Sequence, residues 1–250
     1  MIFRIFTGKR SCGSLRDACR WLFNNTIGDW IRRRSASLSQ AGQDLWVYGE
    51  FFNEAKGEYF VDIGANDGIT LSNTYLLEKR YKWKGLCIEG NPEIFRKLAK
   101  IRTVQCVNQC VDSDAGIVKF ALDGLNGGIV SADCDNVSEA GVTTYVEARS
   151  LKTILDENNA PSEIDYLSID IEGAEDRALL GFPFEEYRFN CITIERPSHA
   201  LRDLLLDHGY LLVKEMPGLD SFYIHQKFVE DYHKNMHAFG AKRFWQLRWR

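Results

Sequence analysis

Residues 62–68 of this 250-residue chain contain two glycine and two aspartate residues, and they come at the end of an apolar stretch, residues 59–63. Gly64 and Gly68 permit a tight turn and a close approach of a ligand to the backbone. The full dinucleotide pattern Gly-x-Gly-x-x-Gly is absent, and Asp62 and Asp67 place carboxylates where a pyrophosphate would be repelled. The turn therefore favours a cationic ligand that carries an amine and a sulfonium.

A further acid, Glu89, follows the next apolar stretch, about twenty residues after the turn. A carboxylate there can accept two hydrogen bonds from the hydroxyl groups of a ribose, as in nucleotide-binding folds. The structural alternative is a surface acid beside Asn91, which is predicted to cap a helix that begins at Pro92. The preceding glycine turn favours the ribose interpretation.

Three more acids follow two later apolar stretches: Asp170, Glu172 and Glu195. Because the carboxyl ends of parallel strands meet at one edge of a sheet, we expect these side chains to lie near the glycine turn. Buried acids are costly unless they bind a partner, and carboxylate oxygens suit Mg²⁺ or Mn²⁺. In the alternative, Asp170 and Glu172 only hydrogen-bond a ligand amine and the start of the next helix.

These segments need a framework in which short strands alternate with helices. Apolar stretches predict the strands, and capping residues predict the helices, with Ser72 as the first N-cap. Strands are predicted at residues 59–63, 85–89, 103–107, 118–121, 143–148, 165–170, 190–195, 210–215 and 221–225, and helices at 72–80, from 92, at 173–180 and at 198–207. The fold class is therefore α/β, a mostly parallel doubly wound sheet that ends in an antiparallel hairpin.

Composition excludes several classes of protein. The hydrophobic fraction of 45% is typical of a globular domain, and the net charge of -4 gives no footprint for nucleic acid. The seven cysteines are scattered in apolar runs, which favours reduced thiols over a disulfide scaffold. No apolar run is long enough to span a bilayer, and charge interrupts the first residues too early for a signal peptide. We therefore expect a cytoplasmic protein.

Three regions are predicted along the chain: an extension at residues 1–35, a main domain at 36–228 and a tail at 229–250. The extension is basic and aromatic, so it either packs on the domain as a helix or contacts an anionic membrane or a partner. Residues 122–141 are rich in Gly, Asn, Asp and Ser, which predicts a surface loop of the kind that often forms a lid. The sequence carries no signal for an oligomeric state.

Spaced motifs between about Ser39 and Phe228 occur together in the order typical of one family. At these motifs the sequence resembles the FkbM family of methyltransferases: SQAGQD at 39–44, FVDIGANDG at 60–68, SNT at 72–74, EK at 78–79, CIEGNP at 87–92, the segment 111–116, and YLSIDIEGAE at 166–175. The resemblance implies a class I, Rossmann-like methyltransferase fold with S-adenosylmethionine as the methyl donor. It also implies O-methylation of a small-molecule acceptor, namely a sugar, a glycan or a glycosylated metabolite.

The resemblance further implies roles for individual residues. The turn around the methionine part of the donor would be formed by Asp62, Gly64, Ala65, Asn66, Asp67 and Gly68. Glu89, with Asn91 beside it, would hold the ribose. Asp112 and Ser113 would lie near adenine, although commoner family members carry the order Ser-Asp there. Gln40 and Gln43 precede the first strand and are expected to close over the cofactor.

Methyl transfer to a hydroxyl group needs residues that align the acceptor and remove its proton. Asp170 is the first candidate for the base, Glu172 and Glu195 are candidate metal ligands or orienting groups, and His199 is the candidate histidine. Two other functions stay open: a non-catalytic scaffold that binds a membrane or a partner, and a nucleotide-sugar enzyme on a related fold. The acids at the ends of the predicted strands argue against the scaffold. The absence of the third glycine of the dinucleotide pattern argues against the nucleotide-sugar enzyme.

Overall fold

The computed structural model describes residues 37–52, 57–136 and 141–230. The predicted extension at residues 1–35 lies outside the described residues, as do residues 231–250 of the predicted tail and residues 137–140 of the predicted loop. What the sequence predicts for those segments stays a prediction. Within the described residues, no helix is both long enough and apolar enough to cross a membrane.

Within the described residues, nine strands form at the stretches that the sequence predicts, and the two-residue strand Cys110–Val111 was not predicted. The described residues contain β1 (Tyr59–Ile63), β2 (Lys84–Ile88), β3 (Gln105–Val107), β4 (Cys110–Val111), β5 (Gly116–Ala121), β6 (Thr143–Arg149), β7 (Glu163–Ile169), β8 (Arg188–Glu195), β9 (Tyr210–Glu215) and β10 (Asp220–His225). One seven-stranded sheet has the order β3-β2-β1-β7-β8-β10-β9 and is parallel except where β10 pairs with β8 and β9. The predicted doubly wound sheet with its antiparallel hairpin is confirmed.

Helices connect many of these strands: α1 (Gln43–Trp46), α2 (Tyr75–Tyr81), α3 (Pro92–Ile101), α4 (Leu151–Glu157), α5 (Glu175–Leu179) and α6 (His199–Asp207). A π-helical turn, Val47–Phe51, continues α1, and residues 226–230 are also helical. Asn91 caps α3 as predicted, because its side-chain oxygen accepts the N–H groups of Glu93 and Ile94.

Two departures from the helix predictions involve capping serine residues. The helix predicted from Ser72 begins at Tyr75, because the Ser72 hydroxyl oxygen accepts the N–H groups of Thr74 and Tyr75 and so holds the preceding turn. Helix α4 was not predicted, although Ser150 caps it. Its buried residues Leu151, Ile154 and Leu155 follow the spacing of one helix face, but seven residues are shorter than the window of about 11 to 18 residues in which a helical period is recognised.

A separate three-stranded sheet, in the order β4-β6-β5, packs its own small core. That core joins Phe120 and Val146 to Ile129, which comes from the predicted loop at residues 122–141. Phe120 and Ile129 also form an isolated β-bridge. Part of the loop is therefore packed against this sheet, whereas the sequence predicted a surface segment.

The winding of the large sheet reverses between β1 and β7, which are neighbours in register with Asp62 beside Ser168. The chain proceeds from β1 to β2 and β3 on one side, and from β7 to β8 on the other. Strands β7 and β8 are buried along most of their length, as expected for parallel strands covered on both faces. Ligands of open α/β sheets bind at the carboxyl ends of the strands beside such a reversal.

Candidate cofactor and active site

A cavity of about 440 Å³ lies at the carboxyl ends of β1, β2 and β7. It brings together the predicted residues Gln40, Asp62, Gly64, Ala65, Asn66, Glu89, Asn91, Asp170, Glu172 and Glu195. The volume is within the range of pockets that hold small molecules and cofactors. The cavity therefore lies where the strand order predicts a ligand site.

The glycine turn brings the backbones of β1, β2 and β7 into contact. The N–H groups of Gly64 and Ala65 donate to the carbonyl oxygen of Ile88 at 3.0 and 3.1 Å, which ties the turn to β2. Gly64 has a φ of +83°, and a Cβ atom at that position would overlap the carbonyl oxygen of Asp170. Only glycine is compatible with this contact, so Gly64 allows the backbones of β1 and β7 to approach each other closely beside the cavity.

Two residues of the turn shape it without lining the cavity. Asp67 accepts the N–H groups of Ile69 and Thr70 at 2.9 and 2.7 Å, which closes the turn after β1. Gly68 has a φ of +83° and packs so closely on Leu98 that a Cβ atom would lie 2.8 Å from that side chain. The predicted direct contacts of Asp67 and Gly68 with a cofactor stay predictions.

Glu89 presents a buried carboxylate at the end of β2, with 8% of the residue exposed. Its two oxygens accept the N–H groups of Asn66 and Asn91 at 2.8 and 2.7 Å. Burial raises the pKa of Glu89 to about 7, although the two backbone hydrogen bonds oppose that rise. Each oxygen retains a further lone pair, so the side chain can also accept two hydroxyl groups from a ligand.

An apolar wall continues the cavity beyond Glu89. Cys110, Val111, Phe120 and Ile129 contribute to it. Gly90 allows Phe120 and Cys110 to pack closely against the backbone, because a Cβ atom there would lie 2.7 Å from the Phe120 ring and 2.8 Å from the Cys110 sulfur. Sequence reasoning missed Phe120 and Ile129, since their approach to the site depends on the fold of the loop at residues 122–136. The wall suits a flat, weakly polar ring such as adenine.

Asp112 and Ser113 do not line the cavity. Asp112 is buried and accepts from Arg177 Nη1 at 3.0 Å, and the same guanidinium binds Ser131 and Asp133. Ser113 is exposed. The ion pair gives Asp112 a packing role that anchors residues 131–133, and its predicted contact with adenine stays a prediction.

Three acids meet on the side of the cavity opposite Glu89. Asp170, Glu172 and Glu195 each offer a carboxylate oxygen, and these oxygens lie within 4.8 Å of one another. Burial raises the pKa of Asp170 to about 8, and the negative charges of Glu195 and Glu172 add to the rise. The arrangement favours a proton shared between neighbouring carboxyl groups, which makes Asp170 able to accept and release a proton near neutral pH.

A guanidinium group already neutralises part of this acidic cluster. Arg196 Nη2 lies 3.0 Å from Glu195, 3.4 Å from Glu172 and 2.5 Å from Asp135. The backbone of Arg196 has a φ of +40°, in the left-handed region that is uncommon for residues other than glycine. Sequence reasoning missed Arg196 because its partners come from three separate segments of the chain.

The remaining predicted residues lie farther from the cavity. Gln43 is buried and donates from Nε2 to Asp220 at 2.7 Å. The negative charge of Glu195 raises the pKa of Asp220, so Gln43 holds in place a residue that lies near Glu195. His199 is exposed as the first residue of α6 and does not line the cavity. A catalytic role for His199 stays a prediction that this geometry does not favour.

The substitution Asp170→Asn is expected to stabilise the ligand-free protein at pH 8 by about 1 to 3 kcal/mol. Between the ordinary pKa of an aspartate and about 8, the folded state keeps a proton on Asp170 that the unfolded chain has already released. Wild-type stability therefore falls as the pH rises through that range. Asparagine removes this loss. Urea unfolding at pH 5 and pH 8 checks the effect, which should be small at pH 5; an equal gain at both values would contradict it.

Comparison with known proteins gives one family and several distant structures. The family model for the methyltransferase FkbM domain matches residues 62–212, which is more than half of the chain. No curated protein matches the sequence significantly. The structure of a methyltransferase FkbM from Methylobacillus flagellatus is 15% identical with a TM-score of 0.44, over 81% of this chain and 60% of that one. This chain thus spans about 60% of the length of that relative.

Two further structures are similarly distant. A TehB-like SAM-dependent methyltransferase from Corynebacterium glutamicum is 11% identical with a TM-score of 0.40, over 81% of this chain and 97% of that one. The N-terminal domain of human METTL16, in complex with SAH, is 13% identical with a TM-score of 0.40, over 71% of this chain and 66% of that one.

Proposed function

Since this chain belongs to the FkbM family of S-adenosylmethionine-dependent methyltransferases, we propose that it methylates a hydroxyl group of a sugar, a glycan or a glycosylated metabolite. The α/β, Rossmann-like fold expected of a class I methyltransferase is present. One observation carries the proposal: a single cavity holds a buried carboxylate suited to a ribose, Glu89, and a proton-accepting cluster around Asp170.

The residues of the cavity suit S-adenosylmethionine from one end to the other. Glu89 is placed to accept the two ribose hydroxyls, and the wall that contains Phe120 and Ile129 suits the adenine ring. The turn at Gly64 admits the ligand close to the backbone, and the surrounding acids favour the positive charge of the donor. When bound, the donor supplies a methyl group on a sulfonium, which the acceptor oxygen attacks in line.

Asp170 is the group that we assign to proton removal from the acceptor. A base works best when its pKa lies near the operating pH, and the pKa of about 8 meets that condition. A carboxylate oxygen of Glu195 lies within 4.8 Å of one of Asp170, and its negative charge would help to stabilise the positive charge that develops on the acceptor oxygen during the attack. Arg196, which also lines the cavity, fixes Glu172 and Glu195 in place.

A divalent cation is a separable part of the proposal. Asp170, Glu172 and Glu195 would hold Mg²⁺ or Mn²⁺ through carboxylate oxygens, which these ions prefer, and the ion would lower the pKa of an acceptor hydroxyl. Arg196 competes with such an ion for Glu172 and Glu195, so binding would require the guanidinium to move. Dependence on metal would therefore appear as activity that a chelator abolishes and Mg²⁺ or Mn²⁺ restores.

The proposal is tested with donor carrying a labelled methyl group and a panel of glycans and glycosylated metabolites, with and without EDTA. We expect labelled product from a hydroxyl acceptor, and a loss of about 100-fold or more in kcat for Asp170→Asn with affinity for S-adenosylhomocysteine kept within about threefold. Small phenols and amines serve as comparison acceptors. Label on those compounds alone would overturn the carbohydrate assignment, and absence of donor binding would revive the scaffold alternative.

A further inference from the structure

The wall that suits adenine and the carboxylate that suits the ribose belong to different sheets. Phe120 lies in β5 of the small sheet β4-β6-β5, and Ile129 packs against that sheet. Glu89 directly follows β2 of the large, seven-stranded sheet. A nucleoside that contacts both groups must therefore span the boundary between the two sheets. Its binding depends on how firmly the small sheet is held against the large one.

Arg177 crosses this boundary with its guanidinium group. The residue belongs to α5, the helix that follows β7 of the large sheet. Its Nη1 atom donates at 3.0 Å to Asp112, which directly follows β4 of the small sheet. Its Nη2 atom donates to Ser131 Oγ at 2.8 Å, and Nε and Nη2 donate to the two carboxylate oxygens of Asp133 at 2.9 and 2.8 Å. One side chain thus binds two segments of the small sheet and its loop to the framework of the large sheet.

These contacts are better protected from water than an ion pair on an open surface. Asp112 is only 6% exposed, and the side chain of Arg177 is 27% exposed. A buried carboxylate needs a charged partner, and a planar guanidinium donates in fixed directions to several acceptors at once. The ammonium group of a lysine is a single point charge, so it would not reproduce this set of contacts.

The segments that Arg177 binds are continuous with the wall of the cavity. Asp112 follows Val111, which lines the cavity, and Ser131 comes two residues after Ile129, which also lines it. The backbone between Ile129 and Ser131 is hydrogen-bonded to β5 at 2.9 Å. A displacement of either segment would therefore move the wall.

We propose that Arg177 is a positioning residue of the donor site, which holds the adenine wall in place relative to Glu89. The inference rests on the proposed function. Arg177 is not among the described residues that line the cavity, so it acts through Asp112, Ser131 and Asp133 and not through contact with the donor. Loss of the guanidinium should loosen the wall and leave Glu89 in place, because Glu89 follows a strand of the large sheet.

Calorimetry with S-adenosylhomocysteine measures the effect on binding. We expect Arg177→Ala to lower the affinity by about 10- to 30-fold, because a wall that is no longer held must be ordered when the ligand binds. Arg177→Lys should fall between the variant and wild type. The loss of affinity below pH 7 that Glu89 contributes should be retained in Arg177→Ala, since the pKa of about 7 belongs to a residue that stays in place. A general loss of structure would displace Glu89 and change that pH profile.

Arg149→Ala is the matched control. Arg149 also belongs to the small sheet and also binds two acids, Glu147 at 2.6 Å and Glu157 at 3.2 Å. Its side chain is 34% exposed, and neither acid is among the described residues that line the cavity. Affinity of Arg149→Ala for S-adenosylhomocysteine should therefore stay within about twofold of wild type.

Hydrogen exchange without ligand tests the contacts of Arg177 directly. In Arg177→Ala, the amides of residues 110–112 and 127–133 should exchange about tenfold faster, whereas those of β1, β2 and β7 should stay within about twofold of wild type. Affinity of Arg177→Ala within twofold of wild type, a loss equal to that of Arg149→Ala, or faster exchange in both sheets alike would overturn the proposal. If wild type does not bind S-adenosylhomocysteine, the proposed function itself fails, and the exchange pattern still decides whether Arg177 holds the small sheet.

Discussion

The substitution Glu89→Ala is expected to lower affinity for S-adenosylhomocysteine by about 100- to 1,000-fold. Two hydroxyl groups of the ribose lose a charged acceptor, and hydrogen bonds to charged groups contribute about 1.5 to 3 kcal/mol each, with incomplete additivity. The N–H groups of Asn66 and Asn91 also lose the acceptor that holds the cavity wall. Calorimetry of wild type and variant measures the change directly.

The ionisation of Glu89 gives this prediction a second readout. The pKa of about 7 means that the free protein carries a partly protonated Glu89 at neutral pH, whereas ribose hydroxyls favour the ionised form. Wild-type affinity should therefore fall by up to about tenfold for each unit below pH 7, with proton release on binding. Glu89→Gln should bind weakly and lose the part of this dependence that Glu89 contributes. Wild-type affinity in Glu89→Gln would contradict the ribose assignment.

The substitution Gly64→Ala is expected to abolish binding of the donor and to destabilise the fold by about 3 kcal/mol or more. The added Cβ atom would overlap the carbonyl oxygen of Asp170, so β1 and β7 must separate where the cavity forms. The N–H of Asp170 donates to the carbonyl of Ile63 at 3.1 Å, and that bond would be strained as well. Thermal unfolding and binding of S-adenosylhomocysteine report the two effects.

Gly57 provides a matched control for the backbone conformation alone. Its φ of +87° is close to the +83° of Gly64, but among the residues that the structure describes no heavy atom lies within 4 Å of a Cβ atom built there. Gly57→Ala should therefore cost only about 1 kcal/mol of backbone strain and leave binding unchanged. Equal losses in the two variants would show that positive φ, and not contact with Asp170, explains the glycine.

Local patterns in the sequence were sufficient for the framework of the site. The apolar run before Gly64 predicted β1, and the position of Glu89 after the next run predicted a carboxylate at the carboxyl end of β2. Asn91 followed by Pro92 predicted the start of α3. These features depend on neighbours within a few residues, where strand patterning and helix capping act, so a single sequence carries them.

Contacts between distant segments were decided only by the tertiary structure. Arg196 joins acids from three segments, and Asn73 donates a hydrogen bond to Ser168, a residue of β7 that lies 95 positions later in the chain. Phe120 reaches the cavity because a second sheet folds beside the first. The sequence predicted that Asp112 lies near the ligand, whereas in the structure Asp112 pairs with Arg177 and does not line the cavity. Such pairings depend on strand order and loop packing, which no local period in the sequence records.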